Sequence, residues 1–124
     1  MKSKATKLWQ KSKYSLAEIV ENFTVGDDYI TDLNLAYWDI IGNIAHSLML
    51  NKIGILSAKE IFVLLEGLDK ILIMYKNGEL KIAVEDEDIH TRVERELTLL
   101  CGDVGKKIHT ARSRNDQVML DMRL

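Results

Sequence analysis

The sequence predicts an all-α fold. None of its 124 residues is proline, and apolar residues recur at helical spacing along most of the chain. Capping residues precede the apolar runs and glycine follows them, as is typical of helix ends. We therefore predict one helical domain over residues 1–112 and the beginning of a further helix over residues 113–124.

Composition narrows the class of protein. Apolar residues make up 47% of the chain and charged residues 29%, which is typical of a soluble globular protein. The net charge of -2 gives no overall electrostatic attraction to nucleic acid or to membranes. The single cysteine, Cys101, cannot form an internal disulfide and suits a reducing compartment. Because no apolar run has the length of a membrane span and no signal peptide opens the chain, we expect a cytoplasmic protein without nucleic-acid or membrane partners.

Four helices are predicted ahead of the C-terminal one, over residues 14–24, 34–52, 57–76 and 87–100. Ser57 and Glu60 predict a capping box at the start of the third, whose apolar stripe is the most regular. The second and third helices are expected to form an antiparallel hairpin with a short turn. Gly42 is expected to permit close helix packing.

Apolar spacing also predicts which faces of these helices are buried. In the helix over residues 34–52, the predicted apolar face consists of Leu35, Trp38, Ile41, Ile44, Ala45, Leu48 and Met49. In the helix over residues 87–100, it consists of Ile89, Val93, Leu97 and Leu100. His90 lies off this stripe, and the neighbouring Asp88 is expected to raise its pKa. His46 borders the first face and is expected to be a hydrogen-bonded packing residue.

Two runs of charged residues lie outside the regular apolar patterns. Five lysines and no acid occupy residues 1–13, which we predict to be a flexible terminus, with a basic arm that contacts nucleic acid as the alternative. Four carboxylates occupy residues 85–88, where a metal site is one interpretation. They lack the alternating spacing of a calcium loop, and acids are favoured at a helix start by its dipole. We therefore predict no metal there.

The most informative stretch is Lys106–Val118, in which a polar, basic loop leads into a helix. Ser113 is a suitable N-cap, and Asp116 three residues later completes the pattern of a capping box. Arg114 and Asn115 fall in the first turn, where free backbone N–H groups and the helix dipole favour an anion. The arginine fork suits a carboxylate in particular. The stretch therefore predicts a carboxylate-binding site, with an ordinary capped surface helix as the alternative.

The end of the chain is apolar around much of the predicted helix, at Val118, Met119, Leu120, Met122 and Leu124. Such a helix is expected to be enclosed by other helices. No glycine, proline or polar turn follows it. The pattern therefore predicts that this sequence is part of a longer one.

The run His109–Val118 resembles the signature of the argininosuccinate lyase family, with Ala111 where the family usually has glycine. Further resemblances follow the family order, at Lys7–Trp9, Asp39–His46, Glu87–Thr91 and Gly102–Lys106. In the second of these, Asn43 replaces a common serine. The resemblance covers essentially the whole chain but only the first part of a family member.

This resemblance implies the N-terminal helical domain of the fumarase/aspartase-like fold, leading from residue 113 into the first long helix of a central helical bundle. It also implies a homotetramer whose active sites combine residues of several subunits. The implied reaction is the reversible cleavage of argininosuccinate to arginine and fumarate in arginine biosynthesis. Neither a cofactor nor a metal is implied, and the catalytic acid and base are expected in segments that this chain lacks. The 124-residue chain alone is therefore expected to be inactive.

By the same resemblance, the candidate substrate-binding residues are Ser113, Arg114, Asn115, Asp88, His90, Thr110 and Asp32. His90 is expected in a supporting role rather than as the principal base. Arg112 is expected either to support the loop or to form a salt bridge. Asp28 stands where better-known members have a serine, so the role of that serine is not transferred.

Two alternatives remain open at the level of sequence. One is a catalytically silent relative, because the fold has been reused as a structural lens protein. The other is a stand-alone helical interaction module that docks through its apolar C-terminal helix.

Overall fold

A computed structural model describes residues 31–124 of the chain. Its five α-helices are α1 (Ala36–Lys52), α2 (Ala58–Lys76), α3 (Ile89–Cys101), α4 (Asp103–Lys106) and α5 (Arg114–Asp121). Short 3-10 segments cover Leu33–Leu35, Val84–Asp86 and Lys107–His109. The described part contains no strand, which confirms the all-α prediction there. The predicted basic terminus, the predicted helix over residues 14–24 and Asp28 lie outside the described residues.

Helices α1 and α2 form the predicted hairpin and pack against each other. The turn between them contains Gly54, whose φ of 82° lies in the left-handed region that glycine adopts without strain. The predicted capping box starts α2, since Ser57 Oγ accepts a hydrogen bond from Glu60 N at 3.3 Å and Ser57 N donates to Glu60 Oε2 at 2.9 Å. Both predictions for this hairpin are therefore confirmed.

The hydrophobic core lies between α1, α2 and α3. Its largest fully buried side chains include Ile40 and Leu50 of α1, Leu64 and Leu68 of α2 and Leu97 of α3. Leu80 and Ile108 close it from the connecting segments. Burying such aliphatic side chains contributes roughly 1.5–3 kcal/mol each, so this core fixes how the three helices pack.

The buried face of α1 differs from the predicted one. Trp38 and Leu48, placed on the apolar face by their spacing, are 38% and 49% exposed. The buried face carries Ala36, Ile40 and Leu50 and, beside them, the polar residues Asp39, Asn43 and Ser47, which are each about one helical turn apart. These polar groups are hydrogen-bonded along the helix, with Asn43 Nδ2 donating to Asp39 Oδ2 at 3.0 Å and Ser47 Oγ donating to the Asn43 carbonyl at 2.8 Å. Burial of this face is therefore tolerated because its polar atoms have partners.

Helix α3 has the predicted core residues but two differences at its margins. Leu100 is 42% exposed rather than buried, whereas His90 is only 2% exposed. Asp86, from the acidic run ahead of α3, is fully buried and lies 2.7 Å from Arg95 Nη1. Its Oδ2 accepts a hydrogen bond from Ala83 N at 2.9 Å. This carboxylate therefore anchors the loop to α3.

Helix α5 packs on α1, and the buried residues of α5 are the polar Gln117 and Asp121. The close packing predicted at Gly42 is confirmed, since a Cβ atom there would lie 2.9 Å from Leu120 Cδ2. The remaining apolar residues of this segment stay exposed, Met119 and Met122 by more than half. Among the described residues, no helix combines the length and the hydropathy that crossing a membrane requires.

Candidate functional site

The starts of α3 and α5 meet, and their capping residues form one side of the candidate site. Asp88 caps α3, with its Oδ1 accepting from Thr91 N at 2.7 Å. Ser113 caps α5, with its Oγ accepting from Asp116 N at 3.3 Å. Ser113 N also donates to Asp116 Oδ2 at 2.7 Å, which completes the predicted capping box. Two helix N-termini, each favourable to negative charge, therefore lie side by side.

Arg114 joins these two helix starts. Its Nε lies 3.2 Å from Asp88 Oδ2, its Nη2 donates to Thr91 Oγ1 at 3.0 Å, and its Nη1 donates to Gln117 Oε1 at 3.0 Å. A guanidinium has five N–H donors, so these contacts orient the fork and leave part of it for a further acceptor. The described contacts give Asp88 a role in holding Arg114.

The residues flanking Arg114 are open to solvent. Asn115 is exposed in the first turn of α5, and Ser113 is exposed at its cap. The hydroxyl of Ser113 also donates to Asp116 Oδ2 at 2.9 Å. Ser113 therefore shapes the turn, while Asn115 presents an amide with both donors and an acceptor.

The loop ahead of α5 is held by two basic side chains. His46 Nε2 lies 2.8 Å from the carbonyl oxygen of Thr110. Burial lowers the pKa of His46 and outweighs this contact, so the neutral ring donates its N–H to the carbonyl. Arg112 Nε donates to the Ile108 carbonyl at 3.1 Å, and its Nη2 donates to Asn43 Oδ1. Arg112 thus supports the loop, which is one of its two predicted roles, and His46 is hydrogen-bonded as predicted.

Ala111 occupies an unusual backbone conformation in this loop. Its φ is 61°, in the left-handed region that residues with a Cβ atom rarely adopt. The argininosuccinate lyase signature usually has glycine at the matching position. Glycine adopts this left-handed backbone without strain, which explains the family preference. Alanine at the same position puts a small amount of strain into the present chain.

His90 is buried beside two carboxylates. Its Nδ1 lies 2.7 Å from Asp39 Oδ1 and 3.7 Å from Asp121 Oδ2. Burial alone would lower the pKa of His90, but the hydrogen bond and the charge of Asp39, together with Asp88, raise it. The predicted direction of this pKa shift is confirmed, although Asp39 contributes more to it than Asp88. The prediction that His90 lies off the buried face is wrong, because α1 and α5 cover it.

Asp121 differs from its neighbours in having an unsatisfied oxygen. Its Oδ2 is buried without a hydrogen-bond partner among the described residues. Burial, and then repulsion by Asp39, raise the pKa of Asp121 to about 7, while His90 and Arg112 act in the opposite direction. This carboxyl therefore changes its charge near neutral pH.

A metal ion is one conceivable occupant of this cluster. The nearest ligand atoms of Asp39, His90 and Asp121 lie within 4.8 Å of one another. However, His90 Nδ1 already makes a 2.7 Å hydrogen bond, and the adjacent Arg112 is near enough to interact with both carboxylates. Two carboxylates facing an imidazole and a guanidinium can balance their charge without a cation. The donor set therefore favours a hydrogen-bonded network over a metal site.

The structure brings several predicted site residues together. Asp32 Oδ2 accepts from Ile89 N at 3.4 Å, so it joins Asp88, His90 and Arg114 around the start of α3. Thr110, Ser113 and Asn115 lie on the adjoining loop and turn.

Asp39, Asn43 and Asp121 belong to this cluster although no role was predicted for them from the sequence. A signal for the first two existed, because Asp39 and Asn43 are polar residues one turn apart within an otherwise apolar helix. Asp121 gave no such signal, because a single aspartate in an amphipathic helix is ordinarily solvated.

Comparison with known proteins identifies relatives of the chain. A family model described as "Lyase" matches residues 2–124. An argininosuccinate lyase of Thermotoga neapolitana is 48% identical over 118 residues, which cover 95% of this chain and 29% of that protein. One of Bacteroides fragilis is 48% identical over 120 residues, covering 97% of this chain and 27% of that protein. An argininosuccinate lyase of Rippkaea orientalis is 52% identical over 93 residues, which cover 75% of this chain and 20% of that protein. The chain thus spans less than a third of the length of these relatives.

Proposed function

We propose that this chain, which belongs to the lyase family, supplies part of the active site of an argininosuccinate lyase. The complete protein would reversibly cleave argininosuccinate to arginine and fumarate. In that direction a proton leaves the carbon next to a carboxylate, and the bond to the guanidino nitrogen then breaks. The chain contributes binding and positioning groups to this reaction.

The observation that carries the proposal is the fixed position of Arg114 between two helix starts. Negative charge develops on the substrate carboxylate as the proton leaves, and donors that are already oriented stabilise it most effectively. The contacts of Arg114 with Asp88, Thr91 and Gln117 supply that orientation before substrate arrives. The N–H groups of the guanidinium that remain free then donate to the substrate carboxylate, and Arg114 does not need to reorganise.

The other candidate residues take supporting roles in this proposal. Asn115 offers its exposed amide to a substrate carboxylate, and Ser113 shapes the turn that presents it. Thr110 belongs to the loop that approaches the substrate, and Asp32 lies at the start of α3. His90 has a supporting role in the reaction, because its ring is close enough to Arg114 for their charges to interact.

We further propose that α5 begins a central bundle helix, that the complete protein is a homotetramer, and that it works in arginine biosynthesis in the cytoplasm. The support for assembly is the exposure of the apolar residues after Gln117, from 37% at Val118 to 69% at Met122. Exposed apolar residues grouped along one segment favour contact with further helices.

The test replaces Arg114 with lysine in the complete protein that contains this chain. Lysine keeps the charge but loses the planar fork, so a bound carboxylate would be misplaced. We expect kcat/KM for argininosuccinate, followed by fumarate release, to fall about 100-fold. Arg114→Ala and Asn115→Ala should also lower kcat/KM strongly while the far-ultraviolet circular dichroism spectrum stays unchanged.

Arg95→Lys is the matched control, because Arg95 also pairs with a carboxylate near the start of α3 but does so at Asp86, away from Arg114. Arg95→Lys should leave kcat/KM within about twofold of the wild-type value. A loss of about 100-fold requires that reacting groups are misplaced, and Arg95 does not hold any of them. Wild-type kinetics from Arg114→Lys would contradict the assignment of Arg114. A complete wild-type protein that releases no fumarate would contradict the proposed function itself.

A further inference from the structure

A continuous chain of hydrogen bonds leads from the loop before α5 to His90. Arg112 Nη2 donates to Asn43 Oδ1, and Asn43 Nδ2 donates to Asp39 Oδ2 at 3.0 Å. Asp39 Oδ1 lies 2.7 Å from His90 Nδ1. We call these four residues the tautomer chain. Asp39, Asn43 and His90 are each at most 2% exposed, so water does not replace these contacts.

We infer that the tautomer chain fixes the proton of the neutral His90 ring on Nδ1 and leaves Nε2 as the nitrogen that meets substrate. Asp39, Asn43 and Arg112 are then positioning residues for the reaction. This inference rests on the proposed function, because it assigns His90 a part in the same site.

The direction of each hydrogen bond follows from the one residue in the chain that can only donate. A guanidinium has no acceptor, so the amide oxygen of Asn43 must face Arg112. The amide nitrogen of Asn43 therefore faces Asp39 and donates to Oδ2. The other oxygen of Asp39 is an acceptor, so Nδ1 of His90 must carry a hydrogen. The carboxylate of Asp39 thus sets the tautomer, while Arg112 and Asn43 hold its orientation toward His90.

With the proton on Nδ1, the Nε2 atom of His90 is available for proton transfer. Among the described residues, Nδ1 is the ring nitrogen with a hydrogen-bond partner, and Nε2 has none. Asp88 and Arg114, at the proposed carboxylate site, are close enough to affect the charge of the ring. A ring held in one tautomer can accept or return a proton at a fixed place, as acid–base catalysis requires.

The first test is Asp39→Asn in the complete protein. Because Arg112 still fixes the orientation of Asn43, the new amide must turn its oxygen to Asn43 and its NH2 group to His90. Nδ1 then becomes an acceptor, and the ring proton moves to Nε2. An Asp-to-Asn change that reverses a histidine tautomer is strongly inhibitory in serine proteases. We expect kcat to fall about 100-fold or more, with KM changed less than about threefold.

The second test is the double variant Asp39→Asn with Asn43→Asp, which keeps the composition and the net charge. The new carboxylate at position 43 accepts from Arg112 and from the new amide at position 39. The amide oxygen at position 39 then faces His90, so Nδ1 carries its hydrogen again. We expect the double variant to recover most of the lost kcat. Simple loss of a charge beside His90 would not be rescued in this way.

Asp103→Asn is the control, since it removes a carboxylate at an exposed site that pairs with Lys106 and does not contact His90. Its kcat should stay near the wild-type value at neutral pH. The inference is overturned if Asp39→Asn keeps wild-type kcat, or if the double variant is folded but no more active than Asp39→Asn. If Asp39→Asn does not fold, the double variant alone decides, because all its polar groups are paired. A wild-type protein without lyase activity would instead refute the proposed function and leave the tautomer to be read by ¹⁵N NMR of His90.

Discussion

Arg114 Nε lies 3.2 Å from Asp88 Oδ2, so the first residue of α5 is tied to the residue that caps α3. This contact couples two helix starts that belong to separate stretches of the sequence. It also requires α5 to begin at a definite residue, because a shift of one position would rotate Arg114 away from Asp88 by about 100° around the helix. The capping box that fixes this start is therefore part of the site.

Removal of the two serine caps should separate stability from function. Ser57→Ala and Ser113→Ala each remove the N-cap of a capping box and should each lower the free energy of unfolding by about 1 kcal/mol. Only Ser113→Ala should lower kcat/KM, because only α5 carries Arg114 and Asn115. Denaturant unfolding and fumarate release measure the two effects. Equal activity losses in both variants would contradict a specific role for the start of α5.

The backbone at Ala111 predicts a stabilising glycine. At a φ of 61°, alanine is strained and glycine is not. Ala111→Gly should raise the free energy of unfolding by about 1 kcal/mol, since the left-handed conformation costs that much or more for a residue with a Cβ atom. Ala45→Gly, the same change at an exposed site within α1, should lower it by about 1 kcal/mol. A loss of stability in both variants would show that position 111 has ordinary backbone in solution.

The contact between α4 and α3 predicts a costly alanine at Gly105. A Cβ atom there would lie 2.7 Å from both the carbonyl oxygen of Leu97 and the backbone nitrogen of Thr98. Since backbone atoms cannot move independently, Gly105→Ala should lower the free energy of unfolding by about 2 kcal/mol.

Gly42→Ala is the comparison for Gly105→Ala, because the atom it meets, Leu120 Cδ2, is the movable end of a side chain. Its helix propensity gain of about 1 kcal/mol should offset the small displacement. Thermal unfolding of both variants tests the difference. A Gly105→Ala protein as stable as Gly42→Ala would mean that α4 does not pack on α3 in this way.

The cluster around His90 predicts that stability falls as pH rises through neutrality. The folded-state pKa of Asp121 is about 7, above its unfolded value of about 3.9, so its contribution is present at acidic pH and is lost as pH approaches 7. The pKa of His90 is also raised, so its contribution is lost as pH rises through its folded pKa. Asp39, Asp88, Asp32, Arg112 and Arg114 are the charged groups that surround this pair.

Asp121→Asn isolates the contribution of Asp121. The variant should be more stable than wild type at pH near 8 and equally stable at about pH 2.5, where the native carboxyl is protonated in both states. Asp103→Asn is the opposite control, because its salt bridge with Lys106 lowers the pKa of Asp103. Asp103→Asn should lower stability at pH near 8, where the carboxylate is ionised and paired with Lys106, and not at acidic pH, where the carboxyl is protonated. A difference between Asp121→Asn and wild type that does not change with pH would contradict the shift.

Much of the site could be predicted because its chemistry is local in the sequence. The N-cap at Ser113, its partner Asp116 and the first-turn position of Arg114 all lie within four consecutive residues. That Asp88 and His90 lie near this turn was predicted only from the family resemblance. Helical periodicity does not show which residues of two different helices are close to each other. Asp39 and Asp121 were missed for the same reason, since His90 and Asp39 are 51 residues apart.

The positions of α1, α2, α3 and α5 and the residues that cap them follow from local sequence, because capping and helical spacing depend on residues within one or two turns. Which side of α1 is buried depends on contacts between helices. Its polar side faces inward because Asp39 and Asn43 find donors and acceptors on α3 and on the loop before α5, and these partners offset the cost of burial. The same contacts decided that His90 is enclosed and that its Nδ1 is bound. Hydropathy cannot report such pairs, since it records the preference of each residue for water and not the partner that the fold brings to it.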